Sequence, residues 1–568
     1  MLSLCRQLIF VNPQKIHLRC IGSVVPVLNL KDYPLVNEPI LSYRKGSKEN
    51  SDLKNTLDEM ARDCEEIPLI IGGKEITTEI VKYQVMPHNH QHKIAKYYYA
   101  TPDLIRQAIN VAVKTQREWE KVSFEKRLDI WWKAAELMAT KYRQQLNAAT
   151  MLGQGKTAIQ AEIDSAAELV DFFKMNVYFV TEALKYKPIS TNPKETLNSM
   201  RYRGMDGFVA AVSPFNFTAI GGNLSYTPAL MGNSVLWKPS DTAILSNWWI
   251  YKICREAGVP EGVVNFVPAH GPDFGDTITA SPYLSGINFT GSVPTYNRLW
   301  TQVGNNVNNY RNYPKLIGEC GGKNFHFIHP TADVQSVVNS TIRSAFEYNG
   351  QKCSACSRMY VPESLWSKIK AGLLEIRNQL KMGDPRDFSV FLGAVIDGAA
   401  FKRISSYIKH AKNCSDLEII GGGGYDDSRG YFVEPTIVQT KNPKDKMMTE
   451  EIFGPVLTLY VYKDSNLDET MKLVDSSTPY ALTGAIFSQD DKWASRALEE
   501  FRYAAGNFYI NDKSTGSVVG QQPFGGSRLS GTNDKAGGPH YALRWASPQS
   551  IKETFVHIRE HDYEYMRS

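Results

Sequence analysis

The stretch GFVAAVSPFNFTAIGGNLSYTPALMGNSVLWKPS, residues 207–240, contains two short apolar runs, GFVAAV and SVLWKPS, separated by a longer mixed segment. The same rhythm continues downstream with a predicted helix over 241–257, the run VVNFVPA, a further helix and the run SGINFTGS. Short apolar runs that alternate with helices are typical of parallel strands joined by right-handed crossovers. This part of the chain therefore predicts an α/β fold.

A second series of the same kind follows Glu319. It contains KNFHFI, a predicted helix over 333–347, SRMYVP, a predicted helix over 363–381, and the runs TLYVY and TGAIFS. Upstream, residues 103–185 alternate charged and apolar residues at helical spacing, which predicts amphipathic helices packed by one face. The chain is thus predicted to form two successive α/β domains.

Two outlying segments interrupt this plan. Residues 188–206 and the stretch near 545–558 both alternate polar and apolar residues outside the two main domains. Such alternation predicts strands with one covered face. We expect the two segments to pair as a β arm that packs on another subunit.

Length and charge exclude several classes of protein. The 568 residues exceed the roughly 250–300 residues at which single hydrophobic cores stop growing, so two or three domains are expected. The formal net charge is +5, and residues 1–31 supply four basic groups without any acid, which leaves a nearly neutral body. Such a body has no electrostatic footprint for nucleic acid, and no apolar run approaches the ~20 residues that span a bilayer. Neither nucleic acid nor membrane insertion is expected.

The first segment, residues 1–31, is basic, apolar and interrupted by Pro13 and Pro26. This composition predicts a cleavable mitochondrial transit peptide and hence a location in the mitochondrial matrix. A frayed basic terminus is the alternative interpretation. The eight cysteines are scattered along the chain without the regular spacing of a secreted disulfide framework, which favours a reducing compartment.

The sharpest local motif is NGQKCSAC, residues 349–356. A cysteine that follows a glycine-containing turn and precedes a strand can be held exposed, and the neighbouring Lys352 would favour the thiolate of Cys353, the form that attacks carbonyl carbons. Three alternatives remain open: half of a zinc site formed with Cys356, a thioredoxin-like redox pair, and an inert buried thiol. The zinc alternative lacks a second pair of ligands, and the polar run His88 to His92, which lacks carboxylate or cysteine partners, is expected to be a solvated loop. No metal is therefore assigned.

Two further residues stand where a catalytic cysteine would need them. Glu319 ends one apolar run beside Cys320, Gly321 and Gly322, where the backbone can approach a ligand. Asn216 follows the strand FVAAV, at the end of a parallel sheet where ligands bind, and its amide could donate to a developing oxyanion. For Asn216 an ordinary turn is the alternative interpretation.

Seven motifs occur in one order along the chain, and together they resemble the aldehyde dehydrogenase superfamily: SPFNF (213–217), WKPS (237–240), FTGS (289–292), GECGGKN (318–324), GQKC (350–353), EEIFGPV (450–456) and PFGGS (523–527). Longer stretches such as FEYNGQKCSACSR and STGSVVGQQPFGGSRLSGTNDKAGGPHY resemble its branch that acts on glutamate γ-semialdehyde, the open form of delta-1-pyrroline-5-carboxylate. The resemblance implies an aldehyde dehydrogenase-like fold: two Rossmann-type α/β domains with a β oligomerisation arm.

The same resemblance implies a reaction. The enzyme would oxidise L-glutamate γ-semialdehyde to L-glutamate with NAD, through a thiohemiacetal and a thioester on Cys353, as the second step of proline degradation. Asn216 and the backbone N–H of Cys353 would form the oxyanion hole, and Glu319 would act as the general base. Alternatives are another semialdehyde dehydrogenase of the superfamily, or a binding or structural protein that kept the fold.

Cofactor and substrate residues are likewise implied by the family pattern. NAD would contact Lys238, Ser240, Asp241, Gly291, Ser292, Glu451 and Phe453. The substrate carboxylate would bind the turn Gly516–Ser517 and the hydroxyl of Ser354. Phe217 and Phe524 would enclose the methylene chain, and Glu168 would orient the amino end.

The resemblance also implies a domain division and an assembly. The NAD-binding domain would comprise residues 32–187 and 207–318, and the catalytic domain residues 319–535. Residues 188–206 and 536–568 would form the arm and the tail. The expected partners are a small-molecule substrate and a second copy of the chain in a homodimer.

Overall fold

The computed structural model describes residues 33–567; the transit peptide predicted at 1–31 lies outside them. The strands in this part of the chain are β1 (Glu65–Ile67), β2 (Leu69–Ile71), β3 (Lys74–Ile76), β4 (Val81–Met86), β5 (Asn89–Tyr98), β6 (Thr196–Arg203), β7 (Phe208–Val212), β8 (Ser234–Lys238), β9 (Val264–Phe266), β10 (Leu284–Thr290), β11 (Lys315–Glu319), β12 (Asn324–Ile328), β13 (Cys356–Pro362), β14 (Leu417–Gly421), β15 (Tyr425–Asp426), β16 (Phe432–Val433), β17 (Thr436–Thr440), β18 (Val456–Tyr462), β19 (Tyr480–Ala481), β20 (Thr483–Phe487), β21 (Asn507–Ile510), β22 (Ser527–Arg528) and β23 (Ser547–Thr554).

The α-helices are α1 (Lys48–Met60), α2 (Pro102–Trp119), α3 (Phe124–Ala139), α4 (Arg143–Gln154), α5 (Ala158–Ala161), α6 (Leu169–Leu184), α7 (Thr218–Leu230), α8 (Ile244–Ala257), α9 (Gly271–Ala280), α10 (Val293–Asn305), α11 (Val334–Phe346), α12 (Glu363–Gln379), α13 (Gly398–Asn413), α14 (Lys446–Thr449), α15 (Leu467–Ser476) and α16 (Asp491–Glu500). A π-helical turn, Glu162–Glu168, joins α5 to α6. Short 3₁₀ turns complete the helical structure at Asp241–Ala243, Val307–Asn309, Glu347–Gly350, Asp464–Asn466, Ala542–Trp545 and Glu564–Met566.

The first large sheet has the strand order β11-β10-β7-β8-β9-β2-β3. Its first five strands are parallel, and β2 and β3 continue it in antiparallel fashion. The strands are short and almost wholly buried because helices cover both faces, which confirms the α/β prediction. Val212 lies opposite both Lys238 and Phe289, so the loops that follow β7, β8 and β10 emerge side by side at one edge.

The second large sheet has the order β14-β17-β18-β13-β12-β20-β21, parallel except for β14. The chain passes from the last strand of the first sheet, β11, to the second sheet through residues 320–323. Hydrophobic clusters cover both faces of each sheet. The largest holds the buried rings of Trp131, Phe173, Tyr226 and Trp237.

The two alternating runs predicted to pair do so. β6 and β23 form a separate antiparallel ribbon that joins Thr196 to Thr554 at one end and Arg203 to Ser547 at the other. Immediately before β23, the ring of Trp545 is fully buried against the first sheet. The ribbon is therefore anchored at its base while its strands remain half-exposed.

Two features differ from the sequence predictions. The segment 65–98, for which no structure is predicted, forms β1 to β5, including a three-stranded sheet of β1, β5 and β4. The run His88 to His92 is not a solvated loop: it forms the β4–β5 turn and the start of β5, with His88 buried and the ring of His90 stacked on Tyr431. Among residues 33–567, no helix is both long enough and apolar enough to cross a bilayer.

Candidate active site

The loops at the ends of strands from both sheets meet around Asn216 and Cys353. Asn216 lies between β7 and α7, and its side-chain amide donates to the backbone carbonyl of Gln351 at 3.1 Å. Cys353 lies two residues beyond that carbonyl, in the turn that leads into β13. The structure therefore brings together the two motifs SPFNF and GQKC, which are more than a hundred residues apart in sequence.

The loop before Cys353 has an unusual backbone. Tyr348, Asn349 and Gly350 all have positive φ, at 52°, 57° and 64°. For non-glycine residues this conformation costs about 1 kcal/mol or more each, and such strain occurs at functional sites. Neutral hydrogen bonds hold the loop: the Asn349 amide donates to the carbonyl of Gly393 at 2.9 Å, and the Gln351 side chain accepts from the N–H of Ile396 at 2.8 Å.

Cys353 itself is half-buried, and its carbonyl accepts from the side-chain amide of Asn324 at 2.6 Å. Burial raises the pKa of its thiol, and the carboxylates of Glu451, Glu319 and Glu168 raise it further. The thiol therefore rests protonated in a site surrounded by acids, and deprotonation must accompany attack.

The prediction that Lys352 favours the Cys353 thiolate is wrong. The ammonium group of Lys352 lies 3.1 Å from the carboxylate of Glu347, with which it forms an ion pair. Instead of being lowered by a neighbouring cation, the pKa of the Cys353 thiol is raised by burial and by carboxylates.

Glu319 ends β11 and lies beneath the PFGGS motif. One carboxylate oxygen accepts from the N–H of Gly526 at 3.4 Å, and the other, Oε1, is buried without a hydrogen-bond partner. Burial raises the pKa of this carboxyl well above its usual range. A buried carboxyl with a free oxygen close to a thiol can exchange a proton with water or substrate in the same site.

The Asn216 segment is fixed by a buried ion pair. Asp164, in the π-helical turn, accepts from the N–H groups of Thr218 and Ala219, both at 2.9 Å, and from the ammonium of Lys156 at 2.8 Å. Those two N–H groups begin α7, which has no side-chain cap of its own. Gln154 adds a bond to the carbonyl of Phe215 at 2.7 Å. The backbone on both sides of Asn216 is therefore held in place.

Glu451 and Phe453 reach the site from the loop between α14 and β18. The Glu451 carboxylate accepts from the N–H of Gly322 at 2.9 Å, and the ring of Phe453 meets that of Phe215 edge to face at 5.8 Å. Burial raises the pKa of Glu451 to about 7. The loop therefore connects the second sheet to both the Glu319 and the Asn216 segments.

Five residues predicted to bind the cofactor lie at or just after the ends of β8 and β10, the two strands that flank β7 in the first sheet: Lys238, Ser240, Asp241, Gly291 and Ser292. The Lys238 ammonium makes only a 3.4 Å contact to the carbonyl of Pro239, Ser292 is exposed at the N-terminus of α10, and Asp241 Oδ1 is buried without a partner. The other Asp241 oxygen accepts from the hydroxyl of Tyr99. The Lys238 ammonium and Asp241 Oδ1 remain available to a ligand, whereas the Ser292 hydroxyl caps α10 by accepting from the N–H of Thr295 at 3.4 Å. Together with the helix N-terminus these groups fit a phosphorylated, hydroxyl-rich ligand such as a dinucleotide.

Of the residues predicted to bind substrate, Ser354 directly follows Cys353 in the chain. The carbonyl of Ser354 accepts from the hydroxyl of Ser514 at 3.2 Å, which places the loop bearing Gly516 and Ser517 beside Ser354. Gly516 has a φ of 85°. The ring of Phe217 lies 3.9 Å beneath the Lys156 ammonium.

Two predicted substrate residues are less directly connected. Burial raises the pKa of Glu168, whose charge reaches the Cys353 thiol. Phe524 is half-buried and held through its backbone N–H by Ala536 at 2.9 Å, and within residues 33–567 no ring contact joins it to Phe217.

The residues that position the site are not among those predicted from the sequence. Asn324, Gln351 and Asn349 support the Cys353 loop, whereas Asp164 and Gln154 support the Asn216 segment. Asn324 stands inside the GGKN motif and could have been suspected from it. Asp164 lies 52 residues before Asn216 in a helical run, where its pattern is that of any amphipathic helix.

The chain is similar to known proteins over almost its whole length. Residues 77–551 match the profile of the aldehyde dehydrogenase family. The chain is 56% identical over 534 residues to the mitochondrial delta-1-pyrroline-5-carboxylate dehydrogenase of Homo sapiens, which covers 94% of each chain. It is 55% identical over 531 residues to that of Danio rerio, covering 93% of this chain and 95% of the relative.

Among solved structures, the delta-pyrroline-5-carboxylate dehydrogenase from Mycobacterium tuberculosis bound with NAD superposes with a TM-score of 0.90 at 42% identity. The match covers 94% of this chain and 98% of that one.

Proposed function

Because the chain belongs to the aldehyde dehydrogenase family, we propose that it oxidises L-glutamate γ-semialdehyde, formed from delta-1-pyrroline-5-carboxylate, to L-glutamate with NAD. This reaction is the second step of proline degradation. The single observation that carries the proposal is the convergence of Asn216, Glu319 and Cys353 from both sheets, within a chain more than half identical to enzymes named for this substrate.

Cys353 is the nucleophile. Its sulfur bonds to the aldehyde carbon to give a thiohemiacetal, and its proton leaves to a nearby base because the thiol rests protonated. The negative charge that develops on the aldehyde oxygen is stabilised by the Asn216 amide and the backbone N–H of Cys353, at about 3 kcal/mol for each donor. The Asn216 amide is already directed at the turn that carries Cys353.

Bound NAD supplies the acceptor for the hydride that leaves the thiohemiacetal carbon. Lys238, Ser240, Asp241, Gly291 and Ser292 would hold it at the edge of the first sheet, with Glu451 and Phe453 on the side of the second. The helix N-terminus at Ser292 suits the pyrophosphate.

Glu319 serves the second half of the reaction. The thioester on Cys353 is released when water attacks its carbonyl carbon, and the Glu319 carboxylate takes the proton of that water. Its unpartnered oxygen can accept that proton, and burial raises the pKa of the carboxyl, which makes its carboxylate a stronger base. Glutamate leaves and the thiol is restored.

Substrate choice rests on the pocket beyond Cys353. Gly516, Ser517 and Ser354 offer N–H and hydroxyl donors to the substrate carboxylate, and turns of this kind bind anions without a charged side chain. Phe217 and Phe524 enclose the methylene chain, and Glu168 orients the amino end. The contact of Ser514 with Ser354 supports a single continuous pocket.

Location and assembly complete the proposal. The enzyme is mitochondrial, as its relatives are named, and we place it in the matrix, with residues 1–31 as its leader. The half-exposed β6–β23 ribbon suits an arm that packs on a second copy in a homodimer. We assign residues 32–187 and 207–318 to the NAD-binding domain and 319–535 to the catalytic domain, with 188–206 and 536–568 as arm and tail.

A substrate panel tests the function. The full chain is assayed for NADH formation with pyrroline-5-carboxylate, succinic semialdehyde and short alkanals. We expect kcat/KM to be highest for pyrroline-5-carboxylate by at least about tenfold, since a lost anchoring group costs 1–3 kcal/mol or more. A higher value for another semialdehyde would favour the sister activity. The absence of NADH with every aldehyde would favour a binding protein.

A further inference from the structure

A cluster of three potential metal ligands lies apart from the active-site residues, at the C-terminal end of α13. His410 is in the last turn of this helix, Cys414 follows its final residue, and Asp445 faces them from the loop before α14. One ligand atom from each side chain lies within 4.8 Å of those of the other two. The imidazole Nε2 of His410 is 3.1 Å from the nearer carboxylate oxygen of Asp445.

The donor set is one that zinc prefers. Imidazole nitrogen, thiolate sulfur and carboxylate oxygen bound to a tetrahedral zinc ion lie roughly 3.2–3.8 Å apart, given Zn–N and Zn–O distances near 2.0 Å and a Zn–S distance near 2.3 Å. Closing the cluster from 4.8 Å therefore needs only small side-chain rotations. A soft sulfur ligand selects against magnesium and calcium. An ordinary ion pair accounts for His410 and Asp445 but gives the adjoining thiol no part.

The surroundings permit a cation. His410 and Cys414 are half-buried, and the Asp445 side chain is 10% exposed, so an ion can enter and keep a water as its fourth ligand. The unsatisfied carbonyls at the C-terminal end of α13 carry partial negative charge. Two neighbouring lysine ammonium groups are turned to aromatic rings, that of Lys412 over Tyr425 and that of Lys446 over Tyr407.

One ligand is already oriented. The Asp445 carboxylate caps α14 by accepting from the N–H of Met447 at 2.8 Å while its oxygens contact His410. The other two lie close together along the chain, His410 in the last turn of α13 and Cys414 at its C-cap, and their ligand atoms are within 4.8 Å of each other. Holding ligands before the ion arrives lowers the entropy lost on binding.

We propose that His410, Cys414 and Asp445 form a binding site for one zinc ion. The site is independent of the proposed oxidation, because none of its ligands contacts Cys353, Glu319 or Asn216 within residues 33–567.

Cobalt titration tests the site directly. The full chain, freed of metal with a chelator, is titrated with Co²⁺ and followed by absorbance. We expect one equivalent to bind, with a thiolate-to-cobalt charge-transfer band and intense tetrahedral ligand-field bands, and we expect Zn²⁺ to displace it. Failure of the protein to develop a thiolate band at one equivalent would overturn the proposal.

Substitutions identify the thiol that produces the thiolate-to-cobalt charge-transfer band. Cys414→Ser, a change at a half-exposed position, should abolish it, and His410→Asn should weaken Co²⁺ binding at least about tenfold. Cys64→Ser removes an exposed thiol elsewhere and should leave the titration unchanged, as should Cys353→Ser. A band that survives in Cys414→Ser would assign the metal to another thiol and refute the site. Circular dichroism of each variant confirms that the fold is intact.

Discussion

The segment 215–219 and the segment 348–353 face each other across the candidate active site, but they are held mainly by different interactions, a buried ion pair in the first and neutral hydrogen bonds in the second. The first is fixed by the buried ion pair of Asp164 and Lys156, and the Asp164 carboxylate also accepts from the first N–H groups of α7. The second follows a left-handed backbone at Tyr348, Asn349 and Gly350, where the neutral side chains of Asn349 and Gln351 hold it, and only at its end does Lys352 pair with Glu347. The position of the first segment therefore depends mainly on one buried ion pair, whereas that of the second is distributed over several neutral hydrogen bonds and an ion pair at its end.

This difference predicts two sizes of destabilisation when one supporting side chain is replaced. Removal of one partner from a buried ion pair leaves the other charge without compensation, at a cost of about 3–5 kcal/mol. Loss of one neutral hydrogen bond costs about 1–3 kcal/mol when its partner stays buried. The two segments should therefore respond unequally to comparable substitutions, while the chemistry itself is concentrated on the second.

The largest effect is expected for Cys353→Ala. Turnover should fall by at least about 10⁴-fold, because the covalent route is lost with the sulfur. NAD affinity, measured by fluorescence quenching, should remain within about twofold of the wild type, since no predicted cofactor residue is altered. Cys356→Ala is the matched control: this thiol is buried in β13 and should be dispensable for turnover. Undiminished NADH formation in Cys353→Ala would show that the nucleophile is misassigned.

A smaller loss is expected for Asn216→Ala, which tests the chemical part of the first segment. Removal of one oxyanion donor should lower kcat by about 10²–10³-fold with little change in the KM for NAD. The neighbouring Thr218→Val keeps the backbone N–H that Asp164 receives and loses only hydroxyl contacts to Thr150 and Gln154. If this control lowers kcat as much as Asn216→Ala does, the Asn216 amide has a structural role only.

The fold was predictable where strands are buried on both faces. Runs such as those forming β7, β8 and β10 are short, apolar and separated by helices, so their type follows from local pattern. The strands between Glu65 and Tyr98 were not, because β4 and β5 are partly exposed and contain many polar residues. Their conformation comes from pairing with each other, which a local pattern does not encode.

The candidate site was predictable in its chemistry but not in its supports. Cys353, Glu319 and Asn216 stand in motifs with glycine or proline neighbours, whereas Asp164 stands in an ordinary helical pattern. The prediction that Lys352 favours the Cys353 thiolate failed because adjacency in sequence does not show which group a charged side chain pairs with. The partner of Lys352 is Glu347. Only the fold reveals that the same carboxylate, Asp164, caps α7 and holds Lys156.

Asp164→Asn tests the ionic support. It should lower the free energy of unfolding by about 3–5 kcal/mol, because Lys156 is left buried without its counter-charge. It should also lower kcat by about tenfold or more through the loosened Asn216 segment. Denaturant unfolding and steady-state kinetics measure the two effects separately.

The double variant Asp164→Asn with Lys156→Met distinguishes charge from shape. Removal of the unpaired ammonium should recover much of the stability but not the kcat, since the bonds to Thr218 and Ala219 remain weakened. Asp171→Asn provides a control, because Asp171 also accepts a backbone N–H, from Glu38, but does so away from Asn216. An equal fall in kcat for that control would make the Asp164 effect merely one of stability.

Gln351→Ala tests the neutral support. Its side chain bonds the N–H of Ile396 while its carbonyl receives the Asn216 amide. Since the carbonyl is retained, the cost should be about 1–3 kcal/mol of stability, with a modest loss of kcat. A destabilisation as large as that of Asp164→Asn would show that the two segments are held with equal strength and would remove the contrast between them.

The smallest effect concerns pH and the loop that joins the two segments. Burial raises the pKa of Glu451 from its usual value of 4.5 to about 7, so this carboxyl is largely neutral at pH 6 and largely ionised at pH 8. An ionised carboxylate is the stronger acceptor for ribose hydroxyls, so the KM for NAD should fall by severalfold as pH rises through about 7. Because the folded-state pKa is raised, the contribution of Glu451 to the free energy of unfolding declines as pH rises from 4.5 to about 7. The affinity for NAD therefore increases over a pH range in which stability decreases.

Glu451→Gln should flatten the pH dependence of the KM for NAD. A wild-type KM that stays constant across this range would mean that Glu451 does not bind the cofactor through its charge.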